Sequence, residues 1–425
     1  MTLGCKVNQY ESEAMAELFT NSGYDIVHDE IADIYVINTC TVTNLSDRKS
    51  RQFISKAKKE NPSSIIAVVG CYSQIAPEDI EKLGDIDVIL GTTDRCRIVE
   101  LCENAYRNHI KINLVKELKP GKEFDDLEIS ENAERTRSYI KVQEGCNQFC
   151  TYCIIPYARG PITSRPMDAV LSEASKLAAN GYKEVVLTGI HVASYGLDLK
   201  LNDALIELIE SVSKIDGIER VRMSSLEPRI VDEELLERLS NIPEFCDHFH
   251  LSLQSGSDEI LKKMNRKYDS DMYLEKINLI RKYFPNAGIT TDIIVGFPGE
   301  SDDDFNDSLK FVDEIGFSRV HVFRYSPRAG TPAAEYPNQV HGEIKRERSE
   351  LLIEAAERKS IEFMDSLIGT KLSVLFETGD GKSAEGYSTN YIKVAVKSDL
   401  DLESEIKTVI IEGRETDVLV GKLID

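Results

Sequence analysis

From Tyr139 to Tyr325 the chain repeats one unit, a short β-rich apolar run followed by a segment with helical spacing of apolar residues. Residues 139–144, 184–188, 219–224, 248–253, 289–295 and 319–324 are the strands this pattern predicts, and 167–180, 203–214, 271–283 and 301–315 are helices between or after them. Strands joined by helical crossovers pair in parallel, and a parallel sheet must be covered by those same helices. Six such units predict an α/β fold built on a partial or complete (β/α) barrel over 137–367, ending in a long helix of mixed charge at 342–367. In barrels of this kind the chemistry sits where strands run into loops.

The flanks differ from this core. Residues 1–115 alternate the runs Ile34–Asn38, Ile65–Val69 and Val88–Leu90 with amphipathic segments at 8–22, 46–60, 76–83 and 97–107, which predicts a second, smaller parallel sheet. Only Met1-Thr-Leu precedes Gly4-Cys5, so the strand expected to lead into Cys5 is nearly missing, as it would be if the natural start lay several residues earlier. Residues 116–136 are polar, with Pro120-Gly121 and an acidic run from Glu123 to Glu128, and read as a linker. The tail, 368–425, places the runs Leu372–Phe376, Tyr391–Val396 and Ile406–Ile411 between turn residues, the pattern of a small antiparallel β-barrel.

Several function classes are excluded by composition. A net charge of −22 argues against indiscriminate binding of nucleic acid or anionic lipid. One basic stretch stands out, Arg48-Lys49-Ser50-Arg51 with Lys56, Lys58 and Lys59. No apolar run is long enough for a membrane span, and Cys5 follows neither a charged n-region nor an apolar h-region, so a cytoplasmic location off the membrane is expected. The nine cysteines therefore belong to a reducing compartment, where spacing points to metal or catalysis rather than to disulfides.

The sharpest spacing is Cys146-Asn-Gln-Phe-Cys150-Thr-Tyr-Cys153, directly after the first barrel strand. Three thiolates this close can wrap one iron–sulfur cubane, whereas a closed site takes four. No fourth cysteine lies nearby, so one iron is expected to be open for chemistry. Zinc, the competing reading, usually takes four ligands in paired C-x2-C form. Cys5, Cys40 and Cys71 lie 35 and 31 residues apart, yet each follows an expected strand. At the carboxyl ends of parallel neighbours about 4.8 Å apart, three thiolates can converge on a second cubane. Gly4 and Gly70 suit close backbone approach there. Cys96, Cys102 and Cys246 have no such placement and read as structural thiols.

On these residues the chain resembles the methylthiotransferase family of radical S-adenosylmethionine enzymes over nearly its whole length. The resemblance implies an N-terminal domain with an auxiliary 4Fe–4S cluster on Cys5, Cys40 and Cys71, and a radical barrel with a second 4Fe–4S cluster on Cys146, Cys150 and Cys153. It also implies a C-terminal TRAM domain. In that family S-adenosylmethionine binds the open iron, yields a carbon radical on reductive cleavage, and a methylthio group is placed on carbon 2 of a modified adenosine in tRNA. Tyr152, Thr188, Gly189, Ser225, Glu227, Gln254, Gly296 and Phe323 match the family's cofactor-facing positions, with the Gly296 turn expected to approach by its backbone. His191 and His321 lie near strand ends and read as hydrogen-bonded structural residues.

The segments Thr2-Leu-Gly-Cys-Lys-Val-Asn-Gln-Tyr-Glu-Ser12, Asn38-Thr-Cys-Thr-Val-Thr-Asn44 and Gly70-Cys-Tyr72 are similar to the threonylcarbamoyladenosine branch. The isopentenyladenosine branch carries Arg-Glu after the second cysteine and Met after the third. Implied partners are a tRNA anticodon stem-loop, a flavodoxin- or ferredoxin-like reductant and a sulfur donor. The tail holds seven Lys/Arg against eleven Asp/Glu, so its RNA face would rest on Tyr387, Tyr391 and Lys393, with the basic helix after Cys40 contributing more. Competing readings are the isopentenyladenosine branch, another two-cluster radical enzyme, and a noncatalytic iron–sulfur protein that binds RNA or senses redox state.

Overall fold

The computed structural model describes residues 1–28, 30–84, 86–125, 127–130 and 136–424. The N-terminal part is a four-stranded parallel sheet in the order β1 (Ile34–Thr39), β2 (Ile65–Gly70), β3 (Val88–Ile89) and β4 (Ile112–Asn113). Strand period two explains why β2 is buried throughout. Ala67 and Val69 pack with Tyr10, Ala14 and Met15 of helix α1 (Lys6–Asn21), while Ile66 and Val68 pack with Ile54 and Ala57 of helix α2 (Asn44–Glu60). In place of a full opening strand, Thr2 forms a single parallel bridge to Asn38, and Leu3 N–H donates to the Asn38 carbonyl at 3.0 Å.

The central unit places β5 (Arg137–Glu144), β7 (Glu184–Gly189), β8 (Arg220–Met223), β9 (His248–His250), β10 (Gly288–Val295) and β11 (Arg319–Arg324) side by side in chain order, all parallel. Between β8 and β9 the ladder thins to the bridges Val221–Phe245 and Leu226–Leu251. The two-residue β6 (Thr163–Ser164) pairs antiparallel with the free edge of β5. Among the described residues nothing pairs β11 with β5, so the barrel is partial. Both lips of its gap touch the N-terminal unit: α1 packs along β5, and Arg328, just after β11, bonds Thr41 and Asn44 at 2.6 Å each.

Residues 371–423 form a closed five-stranded barrel in the order β12 (Lys371–Gly379), β13 (Ser383–Ser388), β14 (Lys393–Lys397), β16 (Val418–Leu423) and β15 (Ile406–Glu415). The antiparallel expectation fails at one seam, where β14 and β16 run parallel. An odd number of strands closed in a ring cannot alternate direction all the way round. The turn between β13 and β14 plugs the amino end of the large barrel. Arg222 donates to the carbonyls of Ser388 and Thr389, and the Tyr391 ring lies 4.6 Å from its guanidinium.

The segment expected as a linker is packed where it is described. Leu127 and Ile129 are core residues, Asp125 accepts from Arg95 at 2.9 Å, and Glu128 pairs with Lys176 at 2.6 Å. Residues 126 and 131–135 of that segment lie outside the described residues. Among the described residues no helix is long and apolar enough to cross a membrane.

Candidate functional site

Cys40 and Cys71 emerge next to one another because β1 and β2 are paired in register to their last residues, Thr39 opposite Gly70. Cys5 joins them through Gly4. A side chain at Gly4 (φ +111°) would stand 3.0 Å from Cys40 Sγ, and one at Gly70 (φ +100°) would stand 2.5 Å from the Thr39 carbonyl. Both glycines thus make room for the cysteine segments to approach each other. Burial pushes the Cys40 thiol up and carries Cys71 to about 12, against the pull of Arg159 on Cys71. Without a cation these groups stay protonated, so loading a metal must release protons.

The second triad follows β5. Cys146 N–H donates to the Gly160 carbonyl at 3.0 Å, Gln148 N–H to Cys146 Sγ at 3.5 Å, and Cys153 N–H to the Cys150 carbonyl at 2.9 Å. Phe149 holds a left-handed backbone (φ 47°) inside this loop, the kind of strained geometry that gathers at ligand sites. Burial lifts Cys146 to about 11 and Cys153 to about 12. Among the described residues, one His/Cys/Asp/Glu group is tight enough to share a single ion, and it is His250, Asp292 and His321. Neither cysteine triad is that compact.

An arginine reaches each triad. Arg266 donates to Cys150 Sγ at 3.3 Å and to Tyr268 at 2.8 Å. Arg159, six residues past Cys153, donates to Cys71 Sγ at 3.3 Å, to Asn8 at 2.5 Å, and to Glu11 and Glu144 at 2.7 Å. Asn8 in turn accepts from the Cys5 thiol at 3.9 Å. Glu11 also pairs with Lys141 at 2.8 Å and Arg95 at 2.5 Å, so Cys71 abuts a buried ion network that reaches Glu144, two residues before Cys146. Burial opposes ionisation of Glu11 and Glu144. Arg159 with Arg95 and Lys141 outweighs it at Glu11, and Arg159 with Lys141 at Glu144, holding Glu11 well below the carboxylate range and Glu144 at about 2. Sequence reading passed over Glu11, Glu144, Arg159 and Arg266.

The expected cofactor positions collect at the carboxyl ends of the barrel strands. Tyr152 packs with Ile294, Phe297 and Tyr325 beside the Gly296 turn. Thr188 is buried, Gly189 lies against Gln143, Ser225 is exposed, and Glu227 accepts from Arg229 at 2.6 Å. Gln254 adopts a left-handed backbone (φ 76°), and Phe323 is half exposed. At Gly296 the amide donates to Glu300 at 2.7 Å, fixing the turn. His191 departs from expectation. Neither buried ring nitrogen has a hydrogen-bond partner, and neither do Ser224 Oγ and Tyr325 Oη. Buried polar atoms left open at one rim fit a polar ligand such as S-adenosylmethionine.

Two surfaces bear on nucleic acid. Arg48, Arg51, Lys56 and Lys59 line a shallow groove on one face of α2. Tyr387 and Tyr391 stack on each other at 5.1 Å and on Arg137 and Arg222, while Lys393 pairs with Glu385 at 2.6 Å. These three expected RNA contacts are committed to packing and pairing within the protein. Of the three cysteines read as structural, Cys102 and Cys246 are buried and Cys96 is exposed.

Residues 140–312 match the radical SAM superfamily, and residues 1–91 match the family described as uncharacterized protein family UPF0004. The threonylcarbamoyladenosine tRNA methylthiotransferase MtaB of Bacillus subtilis (strain 168) is 39% identical over 96% of this chain and 92% of its own. A tRNA-2-methylthio-N(6)-dimethylallyladenosine synthase of Pelotomaculum thermopropionicum is 36% identical over 100% of this chain and 93% of its own. Among solved structures, the radical S-adenosylmethionine methyltransferase TsrM of Kitasatospora setae, with cobalamin and a [4Fe-4S] cluster bound, shares the fold. Its TM-score is 0.58 at 14% identity, over 76% of this chain and 74% of that one. With curated relatives of this similarity along nearly its whole length, the chain belongs to the radical S-adenosylmethionine methylthiotransferase family of tRNA-modifying enzymes.

Proposed function

We propose that this protein transfers a methylthio group to carbon 2 of N6-threonylcarbamoyladenosine next to the anticodon of tRNA, using two 4Fe–4S clusters and S-adenosylmethionine. The observation that carries the reading is the pair of cysteine triads, each with an arginine on one sulfur, Arg159 on Cys71 and Arg266 on Cys150. Cys5, Cys40 and Cys71 are the ligands assigned to the auxiliary cluster, and Cys146, Cys150 and Cys153 those assigned to the radical cluster, each set leaving one iron without a protein ligand. Loaded in this way, the site supplies one-electron cleavage of S-adenosylmethionine and a sulfur ready for transfer, which an aromatic carbon lacking an acidic proton requires.

The chain's own residues hold and orient. Arg159 and Arg266 place positive charge and a donor against one thiolate of each triad, stabilising the anionic form that binds iron. Tyr152, Thr188, Gly189, Ser225, Glu227, Gln254 and Phe323 are assigned to S-adenosylmethionine, with His191, Ser224 and Tyr325 added for their open polar atoms. Gly296 shapes its turn. The anticodon stem-loop is assigned to the basic face of α2 beside Cys40, since unpaired loop bases are the RNA features proteins extract. A flavodoxin- or ferredoxin-like reductant and a sulfur donor complete the cycle in the cytoplasm.

Nucleoside analysis of tRNA from cells lacking the gene tests this. The methylthio form of threonylcarbamoyladenosine should disappear and return with the wild-type gene but not with Cys146→Ala. Loss of the isopentenyl analogue instead would move the enzyme to the neighbouring branch, and no loss of either would refute the reading.

A further inference from the structure

Inside the partial barrel, β10 and β11 turn one face to the helices and the other to the lumen. Ile289, Ile293 and Val295, with Val320 and Val322, pack against the outer core. Thr290, Asp292 and Ile294, with Arg319, His321 and Phe323, therefore look inward. Register stacks these inward residues in layers: Thr290 opposite Arg319, Asp292 opposite His321, Ile294 opposite Phe323. His250 enters the lowest of these layers from β9, opposite Thr290.

The layers change character along the axis. At the rim, Phe323 is 49% exposed and Ile294 packs with Tyr152 of the radical-cluster loop. One step below, the wall is polar. His250 Nε2 lies 3.3 Å from Asp292 Oδ2, His250 Nδ1 lies 2.9 Å from Thr290 Oγ1, and the rings of His250 and His321 are 6.0 Å apart. Gln254 N–H donates to the Asp292 carbonyl at 2.8 Å, tying this layer to a cofactor position. Lys6, the residue after Cys5, lies with its Nζ 5.9 Å from both the Tyr139 and Tyr391 rings, toward the plugged amino end. Arg319 is exposed and has no ion-pair partner among the described residues. Arg319 is thus a cation of this wall with no carboxylate paired to it among the described residues.

An aromatic rim above a polar floor with one unpaired cation fits a planar base carrying an acidic, hydroxyl-bearing substituent. Resting on the threonylcarbamoyladenosine reading above, we propose that this lumen layer is the specificity pocket for the substituent on N6 of the target base. Phe323 supports the ring, Arg319 pairs with the threonyl carboxylate, and His321, His250 and Asp292 meet the hydroxyl and urea groups. An isopentenyl chain would leave these donors and acceptors desolvated and unpaired, and a site built for hydrogen bonds rejects such an analogue strongly.

The test is anaerobic binding of labelled anticodon stem-loops to the reconstituted holoenzyme, followed by fluorescence anisotropy. The RNAs carry threonylcarbamoyladenosine, its methyl ester, isopentenyladenosine or adenosine. Wild type should bind the acid about tenfold or more tightly than the ester or the isopentenyl RNA, as charge-assisted bonds require. Arg319→Gln and His321→Leu, checked to carry wild-type iron content, should shrink that ratio to about twofold or less. If wild type discriminates but the ester binds like the acid, or both variants keep the ratio, the pocket is misassigned while the substrate stands. If wild type does not discriminate at all, the substrate reading falls and the pocket with it. A cobalt(II) ion bound one per chain by wild type, with its visible ligand-field bands, and lost in His321→Ala would make the trio a metal centre and overturn the proposal.

Discussion

Arg159 works in three directions at once: toward the Cys71 sulfur, toward Glu11 of the N-terminal unit, and toward Glu144 at the end of β5. All four groups are buried. Taking one partner out of such a network costs about 3–5 kcal/mol, because the remaining charges cannot regain water. Arg159→Gln should therefore lower the urea-unfolding free energy by about that much. Arg159→Lys should recover part of the loss, keeping the charge but not the fork that spans two carboxylates. Equal stability of Arg159→Gln and wild type would refute the network's role. Cys40 and Cys71 stood out in sequence because each sits one step past an apolar strand, and Cys146, Cys150 and Cys153 because of their close spacing. Arg159 and Glu11 did not, since a lone arginine or glutamate has no period, and their pairing arises only when α1 lies against β5. His191 shows the opposite failure: its place at a strand end was readable, but whether its ring nitrogens find partners depends on what packs above it.

At the scale of elements, strands and helices were readable where length and period were strong. Ile34–Thr39, Ile65–Gly70, Gly288–Val295 and Gly342–Ser366 fall within a few residues of their expected bounds. The pattern could not supply the parallel seam between β14 and β16, which strand count and closure impose, or the two-residue β6, which exists only because the edge of β5 is free. Local capping chemistry makes a clean test. Ser301 and Asp304 form a reciprocal capping box on the helix Asp302–Ile315. Ser301→Ala should cost about 1 kcal/mol in urea unfolding, and Ser301→Asp, which can still cap, distinctly less. The plug below the barrel offers a second test. Tyr391 stacks on Tyr387, Arg137, Arg222 and His248, so Tyr391→Ala should cost about 2 kcal/mol, from one aromatic pair and one desolvated cation–π contact. The loss should show as earlier protease cleavage around residues 368–371, and unchanged cleavage there would mean the tyrosines do not anchor the small barrel.

Across the whole molecule, the three units are joined by buried carboxylates held by arginines at both seams. Glu11 and Glu144 meet Arg159 between the N-terminal sheet and the large barrel. Glu184 meets Arg222 and Arg137 at the floor, where Arg137 also reaches Glu377 of the small barrel. Burial resists ionisation of Glu184, yet Arg222 and Arg137 bring it to about 2, matching Glu144. An unfolded glutamate titrates at about 4.3, so between that value and about 2 the unfolded chain binds more protons than the folded one. The stabilisation from these groups is then complete above about pH 5 and is lost as pH falls toward 2, at roughly 3 kcal/mol for each of Glu144 and Glu184. Because the pairs are buried, added salt should change this little, whereas surface pairs would weaken. The iron-free chain, unfolded in urea at pH 5 and pH 3, should lose stability steeply on the acid side. Glu144→Gln and Glu184→Gln should each start less stable at pH 5 and show a shallower slope. A wild-type slope in both variants would place the acid sensitivity elsewhere and leave the seams held by apolar contact alone.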